Sequence, residues 1–233
     1  MVTEHEQRIR ESSARIREYD KKRRQSPHRA GKTMPDLDDL QIGGSRVFQL
    51  AVLSVDIRGF TKLSLSLGKE VANLARLQSL YLAEMSAIIR DRNGVTEKYT
   101  GDGVLGLFGT EADTTGATDA LSAVCAALDI QMILDRSLNP YFKQLGLPEI
   151  ACGQGIDYGL VLMERVGLRG DNQFSLAGPT VSLAAKLQGV AQGGQIMVGR
   201  DVFSRLPEGW RKFCKGPVQW EFNNPAYHFE AHW

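Results

Sequence analysis

The sequence has almost no net charge and few cysteines, and these two shortages exclude several classes of protein. Its 28 lysine and arginine residues nearly balance its 27 aspartate and glutamate residues, which leaves a formal net charge of +1. A chain without a field of one sign does not favour nucleic acid or an anionic membrane as a partner. The three cysteines, Cys125, Cys152 and Cys214, show no disulfide or metal-ligand spacing, which indicates a reducing compartment.

Targeting and membrane-spanning segments are also missing from the sequence. Residues 1–6 lack the apolar core of a signal peptide. We find no apolar run of the roughly 20 residues that a helix needs to cross a bilayer. The sequence therefore predicts a cytoplasmic protein with no membrane partner.

Several common catalytic motifs are absent too. The chain has neither the Gly-x-x-x-x-Gly-Lys-Ser/Thr phosphate loop nor the Gly-x-Ser-x-Gly nucleophile elbow, which removes support for kinase-like and esterase functions. Its four histidines lack metal-ligand spacing. Gly101-x-Gly103-x-x-Gly106 matches a dinucleotide fingerprint, but residues 104–108 favour a strand where that motif needs a helix. We therefore reject a dinucleotide-binding function.

What the sequence does contain divides near residue 46. Residues 1–46 form an arm rich in charged residues, and residues 47–233 have the apolar periodicity of a packed domain. With 233 residues and 42% hydrophobic composition, the chain suits one domain plus an appendage. A charged helix over residues 4–24 either docks on a partner chain or belongs to a solvated arm, and both alternatives stay open.

The apolar patterns of the second segment predict alternating strands and helices. Strands are expected at 48–57, at 95–99 and 104–108 as a hairpin, at 150–166 with a turn at Gly159, at 174–178, 195–198, 218–222 and 227–229. Helices are expected at 69–92, at 117–134, from Pro179 onward, and at 201–206. This order predicts an α+β fold with one mixed, largely antiparallel sheet and helices packed on its face.

Two aspartates are the strongest indication of chemistry. Asp56 lies near the end of the strand expected at 48–57, and Asp102 lies at the tip of the expected hairpin. Carboxylates that converge beside a glycine-rich turn can hold hard divalent cations, while the N–H groups of the turn face phosphate oxygens. The pattern favours chemistry on a nucleoside triphosphate, although Asp102 by itself would indicate only a turn.

Three motifs in this order resemble the class III nucleotidyl cyclases from residue 47 to the C-terminus. They are Asp-Ile-Arg-Gly-Phe-Thr at 56–61, Lys-Tyr-Thr-Gly-Asp at 98–102, and Gly178-x-x-Val181-Ser182-x-Ala184-Ala185-Lys186. The resemblance implies a class III cyclase-like fold. It also implies a reaction in which the ribose 3′ oxygen attacks the α-phosphorus, releasing pyrophosphate and a 3′,5′-cyclic nucleotide.

The resemblance further implies a set of site residues. Two Mg²⁺ or Mn²⁺ ions, about 4 Å apart, would be held by Asp56, Ile57 and Asp102. The backbone N–H groups of Gly59, Phe60 and Thr61 would bind the β and γ phosphates. The active site would lie between two protomers of a homodimer, and the opposite chain would supply Lys98, Ser175, Ser182 and Lys186.

The chain departs from the family pattern at the ribose and transition-state positions. Ser182 stands where the family usually has asparagine, and Lys186 stands where it usually has arginine. Lysine keeps the positive charge but lacks the guanidinium fork. Because both metal aspartates remain, we expect an active enzyme. Arg58 either pairs locally or neutralises phosphate.

The base-reading positions leave the substrate open. Lys98 matches the lysine that adenylate cyclases place on adenine, and Ser175 replaces an aspartate or threonine. A lysine with a hydroxyl can read adenine or uracil, whereas guanine is least favoured. A short cyclase without a sensor domain also resembles the pyrimidine cyclases of bacterial anti-phage systems. We therefore favour UTP over ATP, with a degenerate nucleotide-binding module as a further alternative.

Overall fold

The computed structural model describes residues 29–30, 40–68, 71–109, 115–218, 220, 222 and 225–229. Its strands, in chain order, are β1 (Arg29–Ala30), β2 (Ser45–Ile57), β3 (Val95–Tyr99), β4 (Gly103–Phe108), β5 (Cys152–Leu168), β6 (Asp171–Ala177), β7 (Ile196–Gly199), β8 (Cys214–Val218) and β9 (Ala226–Phe229). They form one nine-stranded sheet in the order β3-β4-β2-β5-β7-β9-β8, with β1 on β2 and β6 on β5. The β1–β2 and β5–β7 pairs are parallel and the others are antiparallel, so the sheet is mixed, as predicted.

Helices cover both faces of this sheet. In chain order they are α1 (Phe60–Leu67), α2 (Val71–Asp91), α3 (Ala117–Ile133), α4 (Asn139–Gln144), α5 (Pro179–Val190), α6 (Arg200–Arg205) and α7 (Glu208–Arg211). A π-helical turn, Leu134–Leu138, joins α3 to α4. The predicted hairpin and the long helices near 69–92 and 117–134 are confirmed, as is the helix that starts at Pro179.

The alternation of side chains along β2 explains why this strand is apolar throughout. One set of its side chains packs in the larger core with α2 and α3: Ala51, Leu53, Val55 and Ile57. The intervening set packs in a second core that includes Ala184 of α5: Phe48, Leu50 and Val52. Since successive side chains of a strand point to opposite faces, a strand covered on both faces needs apolar residues at every position. β2 thus carries Asp56 out of the middle of the protein.

The expected turn at Gly159 is wrong, because β5 continues unbroken from Cys152 to Leu168. Gly159 pairs with Leu50 of β2 within the ladder. A Cβ atom at Gly159 would lie 2.7 Å from Oγ1 of Thr180 in α5. The glycine therefore permits close packing of a helix on the strand and does not turn the chain.

The strand expected at 218–222 is also misplaced. The observed strand β8 is Cys214–Val218, at the edge of the sheet, and neither Trp220 nor Phe222 is in a strand. Pro217 lies within β8. Proline has no N–H to donate, but an edge strand tolerates this because one of its sides pairs with no other strand.

The membrane expectation needs a correction as well. Within the described residues, the helical stretch Ala117–Gln144, 28 residues with a mean hydropathy of 1.4, is long and apolar enough to cross a bilayer. Half of its most apolar window is buried inside the protein. Ala123, Ala127 and Ile130 of α3 are fully buried in the larger core. We interpret the stretch as core helices, because its apolar side faces protein.

The predictions for the N-terminal arm remain open. The expected helix over residues 4–24 lies outside the described residues. The division near residue 46 stays a prediction, and strand β2 begins at Ser45. The three cysteines are free, and Cys152 is buried.

Candidate active site

The fold brings Asp56 and Asp102 together. Asp56 is the penultimate residue of β2 and pairs with Gly103, the first residue of β4, so Asp102 in the adjoining turn lies beside it. The two carboxyl side chains share a hydrogen bond. Partial burial, followed by the charge of Asp102, raises the pKa of Asp56 to about 6, while Arg58 and Gln188 act in the opposite direction.

This pair fits a divalent metal ion. Two carboxyl groups in contact hold a proton between them unless a cation neutralises their charge, and a divalent cation would keep both ionised. Among the described residues no group of three or more His, Cys, Asp or Glu side chains could hold a metal ion. The remaining ligands would have to be backbone oxygens such as that of Ile57, water or phosphate, a ligand set typical of Mg²⁺.

The turn that carries Asp102 is held in place from two sides. The N–H of Thr100 donates to the carbonyl oxygen of Gly103 at 2.9 Å, which closes the hairpin. Gln78 of α2 donates from Nε2 to the carbonyl oxygen of Gly101 at 2.7 Å. Gly101 has φ +77°, a conformation that glycine adopts without strain. Helix α2 therefore sets the position of the Asp102 turn.

The turn at residues 58–59 leads from β2 into the N-terminus of helix α1. Gly59 has φ +70° and caps helix α1. The first N–H groups of a helix have no intrahelical acceptor and carry the positive end of the dipole, so those of Phe60 and Thr61 can bind phosphate oxygens. No atom lies within 4 Å of the position of a Cβ on Gly59, so the approach is open. Phe60 packs against the larger core, and Thr61 is exposed.

The predicted residues of the third motif lie on the exposed surface of α5. Ser182 and Lys186 are exposed. The Nζ atom of Lys186 lies 5.5 Å from the centroid of the Phe222 ring, a cation–π distance. Ser175 is partly buried in β6, where it pairs with Glu164 of β5.

Lys98 lies on the exposed edge strand β3. A bulge there sets both Glu97 and Lys98 opposite Leu105 of β4, where regular pairing would allow one residue. The Nζ atom of Lys98 is 3.4 Å from Oε2 of Glu97, whose side chain is only 3% exposed. This contact is an ion pair and not a hydrogen bond, because Oε2 of Glu97 has no hydrogen-bond partner among the described residues. Burial raises the pKa of Glu97, and the charge of Lys98 opposes this.

The structure brings the predicted metal and phosphate residues together at the end of β2. Among the described residues, no hydrogen bond or ion pair joins Lys98 or Lys186 to Asp56 or Asp102. The predicted base, ribose and transition-state residues lie on β3, β6 and α5.

Two residues beside Asp56 could not be assigned from the sequence. The Arg58 guanidinium donates from Nη2 to the carbonyl oxygen of Gln188, and a role of Arg58 in neutralising phosphate stays a prediction. Gln188 of α5 also places its Nε2 atom 3.5 Å from Oδ2 of Asp56. Its only signal in the sequence is its position two residues after Lys186 in the third motif.

A buried hydroxyl completes the surroundings of the pair. Tyr81 of α2 is fully buried, and its hydroxyl oxygen has no hydrogen-bond partner among the described residues. Burial, and then the charges of Cys152, Asp56 and Asp102, raise the pKa of this hydroxyl well above its usual value, so it remains protonated. Tyr81 is therefore a neutral buried group close enough for the charges of Asp56 and Asp102 to affect its pKa.

The fold and this arrangement together define an α+β protein with paired carboxylates beside a helix end that can bind phosphate. Residues 45–228 match the family model of the adenylate and guanylate cyclase catalytic domain. The chain belongs to this family, the class III nucleotidyl cyclases.

Curated relatives carry more than one substrate name. The chain is 31% identical to a uridylate cyclase of Gulbenkiania mobilis over 163 residues, 68% of this chain and 62% of that protein. It is 29% identical to a uridylate cyclase of Burkholderia cepacia, covering 81% of this chain and 80% of that one. It is 30% identical to an adenylate cyclase of Anabaena cylindrica, covering 73% of this chain but 33% of that protein. The chain thus spans less than two thirds of the Anabaena and Gulbenkiania proteins.

Solved structures agree on the fold. The adenylyl cyclase CyaB from P. aeruginosa superimposes with a TM-score of 0.70 at 24% identity, over 81% of this chain and 96% of that one. A class III adenylyl cyclase-like ATP-binding protein from Pseudomonas aeruginosa gives a TM-score of 0.71 at 18% identity, over 91% of this chain and 49% of that one. The class III cyclase-like fold predicted from the sequence is confirmed.

Proposed function

We propose that this chain is an active nucleotidyl cyclase that converts a nucleoside triphosphate into a 3′,5′-cyclic nucleotide and pyrophosphate. The contact between Asp56 and Asp102, beside the open N-terminus of α1, is the observation that carries the proposal. In the reaction the ribose 3′ oxygen forms a bond to the α-phosphorus, and the bond from that phosphorus to the bridging oxygen breaks. The proton of the 3′-hydroxyl leaves to solvent, and pyrophosphate carries the electron pair away.

The chain's own residues have distinct tasks in this proposal. Asp56, the backbone of Ile57 and Asp102 would hold two Mg²⁺ or Mn²⁺ ions. When bound, these ions lower the pKa of the 3′-hydroxyl and neutralise charge on the phosphates. The N–H groups of residues 59–61 bind the β and γ phosphates and orient the leaving group in line with the attack.

A second copy of the chain completes the site. Lys98 and Ser175 of the opposite protomer would contact the base, Ser182 the ribose, and Lys186 the α-phosphate as negative charge develops. Support comes from the exposure of Lys98 and Lys186, neither of which forms a hydrogen bond or ion pair with Asp56 or Asp102 within the described part of one chain. Lysine acts here as a point charge, which stabilises the transition state without the two-pronged geometry of arginine.

The favoured substrate is UTP, with cyclic UMP as product. Lys98 can donate to a carbonyl oxygen of uracil, and the Ser175 hydroxyl can either donate or accept. Relatives named uridylate cyclase support this preference. The relative named adenylate cyclase keeps ATP as the alternative substrate. A cytoplasmic signalling role in defence against phage is part of the proposal and rests on the resemblance to bacterial pyrimidine cyclases.

A degenerate module that binds a nucleotide without turnover is the competing function. The substitutions at Ser182 and Lys186 favour it, because they shorten or simplify the polar groups at two positions. One structure with this fold is described as a cyclase-like ATP-binding protein, and that name mentions binding but no catalysis. The retained carboxylate pair favours turnover.

The test is to incubate the purified chain with Mn²⁺ and, separately, UTP, CTP, ATP and GTP, and to identify cyclic products by mass spectrometry. We expect selective conversion of UTP, and none by Asp102→Ala with its oligomeric state unchanged. Selective conversion of ATP would support the cyclase activity but reject the proposed preference for UTP. No pyrophosphate release with any nucleotide, while nucleotide binding persists, would reject the enzyme in favour of the binding module.

A further inference from the structure

Gln188, in the last turn of helix α5, makes two contacts with residues at the Asp56 site. The carbonyl oxygen of Gln188 accepts a hydrogen bond from Nη2 of Arg58, which follows Asp56 by two positions. The side chain of Gln188 places Nε2 3.5 Å from Oδ2 of Asp56. The carbonyl thus fixes the last turn of α5, and the amide faces the carboxylate.

The guanidinium of Arg58 lies in a space that the sheet leaves for it. A Cβ atom on Gly153, the β5 residue that pairs with Asp56, would lie 2.3 Å from Nε of Arg58. The Nε atom is buried and has no hydrogen-bond partner among the described residues. The hydrogen bond from Nη2 to the carbonyl oxygen of Gln188 therefore anchors the guanidinium at the end of α5.

Helix α5 also carries Ser182 and Lys186, the residues assigned above to the active site of the opposite protomer. Gln188 follows Lys186 by two positions on the same helix. One end of a short helix therefore contacts the carboxylate of its own chain, while the exposed side chains of that helix belong to the second site. The two contacts of Gln188 thus join Asp56 and Arg58 to the helix that carries Lys186.

We propose that Arg58 and Gln188 are positioning residues that join each metal site to helix α5, and so couple the two active sites of the homodimer. This proposal rests on the proposed function for the role of Lys186, but not for the contact with Asp56. Gln188 donates to the ionised carboxylate and sets its direction. Arg58 holds Gln188 in register and supplies positive charge near the pair.

Metal binding tests the first half without any turnover. Mn²⁺ affinity would be measured by electron paramagnetic resonance, with the metal alone and no nucleotide present. We expect Gln188→Ala to weaken Mn²⁺ binding by about tenfold, the lower end of the effect of losing a residue that supports a metal ligand. Gln188→Glu places a third carboxylate beside Asp56, and we expect it to bind Mn²⁺ several-fold more tightly than Gln188→Ala.

The matched control is Gly189→Ala, the neighbouring position on α5, where a Cβ would meet no atom within 4 Å. It should leave Mn²⁺ affinity unchanged. Thermal unfolding of each variant separates a lost contact from a lost fold. Equal Mn²⁺ affinity for Gln188→Ala, Gln188→Glu and the unsubstituted protein would overturn the positioning role, whatever happens to their melting temperatures.

Mixed dimers test the coupling. One chain carries Asp102→Ala and the other Lys186→Ala, each with its own affinity tag, so that a purified pair has one complete site. That site uses the aspartates of the second chain and Lys186 of the first. Gln188→Ala is then added to the first chain, whose own metal site is already disabled.

We expect this addition to lower the rate of cyclisation by roughly twofold to thirtyfold, the range of coupling energies carried by packed elements. The Mn²⁺ affinity of the intact site should not change. An unchanged rate would overturn the coupling, and so would a mixed dimer that makes no product when the unsubstituted homodimer does. If the unsubstituted homodimer makes no product, the proposed function fails, and the Mn²⁺ measurement still decides the role of Gln188.

Discussion

At the scale of single residues, two glycines of the site serve opposite purposes. Gly59 has φ +70° and open space around it, so its task is conformational. Gly103 lacks a positive φ, but a Cβ there would lie 2.7 Å from the carbonyl oxygen of Val55 and 2.9 Å from Oδ1 of Asp56. An alanine at Gly103 would therefore push directly on Asp56, a proposed metal ligand, whereas one at Gly59 would strain only the turn.

The first prediction follows from that crowding. Gly103→Ala should weaken Mn²⁺ binding by at least about tenfold, because a displaced ligand costs at least as much as a lost supporting contact. Gly106→Ala in the same strand is the control, since its Cβ would meet only the Ile89 side chain, at 3.0 Å or more. Isothermal titration with Mn²⁺ checks both variants. A larger loss in Gly106→Ala would contradict the assignment of Asp56 as a ligand.

The second prediction concerns the buried Asp157 in β5. Burial is the main cause that raises its pKa to about 7, with a smaller contribution from Asp201, while the backbone of Tyr158 and the charge of Arg205 lower it. In the unfolded chain Asp157 loses its proton near pH 4, but in the folded protein it keeps the proton up to about pH 7. Stability should therefore fall as the pH rises between these values and level off above them.

Asp157→Asn removes this titration. The free energy of unfolding would be measured by urea denaturation from pH 4 to pH 8. The value for the variant minus the value for the unsubstituted protein should increase as the pH rises. A pKa difference of this size corresponds to on the order of 4 kcal/mol at full ionisation, as an upper limit. A difference that stays flat with pH would show that Asp157 is ionised in the folded state.

The sequence predicted some of these residues and not others, for a physical reason. Asp56, Asp102 and the glycines adjoin strand ends and turns, so local pattern and family resemblance identify them. Arg58 and Gln188 are 130 residues apart, and the contact between them depends on how α5 packs across the sheet. Asp157 likewise differs from any surface aspartate only through its burial at 2% exposure.

At the scale of elements, the position of Asp102 depends on helix α2 as well as on its own hairpin. Gln78 of α2 donates to the carbonyl oxygen of Gly101 in the turn, across 23 residues of sequence. We expect Gln78→Ala to weaken Mn²⁺ binding by about twofold to tenfold, because one exposed hydrogen bond holds the turn near Asp56. The exposed neighbour Ser79, as Ser79→Ala, should bind Mn²⁺ normally. Equal affinities would show that the hairpin positions Asp102 unaided.

Element prediction succeeded where the period of side chains was clear and failed where glycine or proline had a packing role. The 3.6-residue pattern of α2 and the two-faced apolar pattern of β2 gave both elements close to their observed bounds. Gly159 indicated a turn, but it accommodates Thr180 of α5. The strand expected at 218–222 is displaced to Cys214–Val218, which contains Pro217 at the edge of the sheet. For Gly159 the deciding neighbour is distant in the sequence.

At the scale of the whole molecule, residues 40–46 connect the arm to the sheet. Leu40 is buried, and its carbonyl oxygen accepts a hydrogen bond from Nη1 of Arg165 in β5 at 2.8 Å. The Arg165 backbone also exchanges hydrogen bonds with Gly43 and Gly44 at 2.8 and 3.0 Å. Arg46 then pairs with Met163 within the sheet. These contacts hold the segment before residue 47 against β5, the longest strand.

Two deletions test where the packed domain begins. Removing residues 1–39 and removing residues 1–46 both eliminate β1, so their difference reports on residues 40–46 alone. Burial of Leu40 and the hydrogen bonds to Arg165 together contribute about 3 kcal/mol. The longer deletion should therefore melt roughly 6–12 °C below the shorter one, by differential scanning calorimetry. Equal melting temperatures would instead support the boundary near residue 46.

The same two deletions also test whether the arm affects the metal site or the assembly of the protein. Asp56, Asp102 and Gln188 lie away from residues 40–46 in the sequence, and none of the hydrogen bonds given above for them involves that segment. We therefore expect both truncated chains to bind Mn²⁺ with full affinity at a temperature where both are folded. Sedimentation at several concentrations then reports whether the removed arm contributes to the dimer. Loss of the dimer with intact Mn²⁺ binding would show that the arm is needed for assembly. Each chain would then keep its own proposed metal residues but would lack the lysines proposed to come from the second chain.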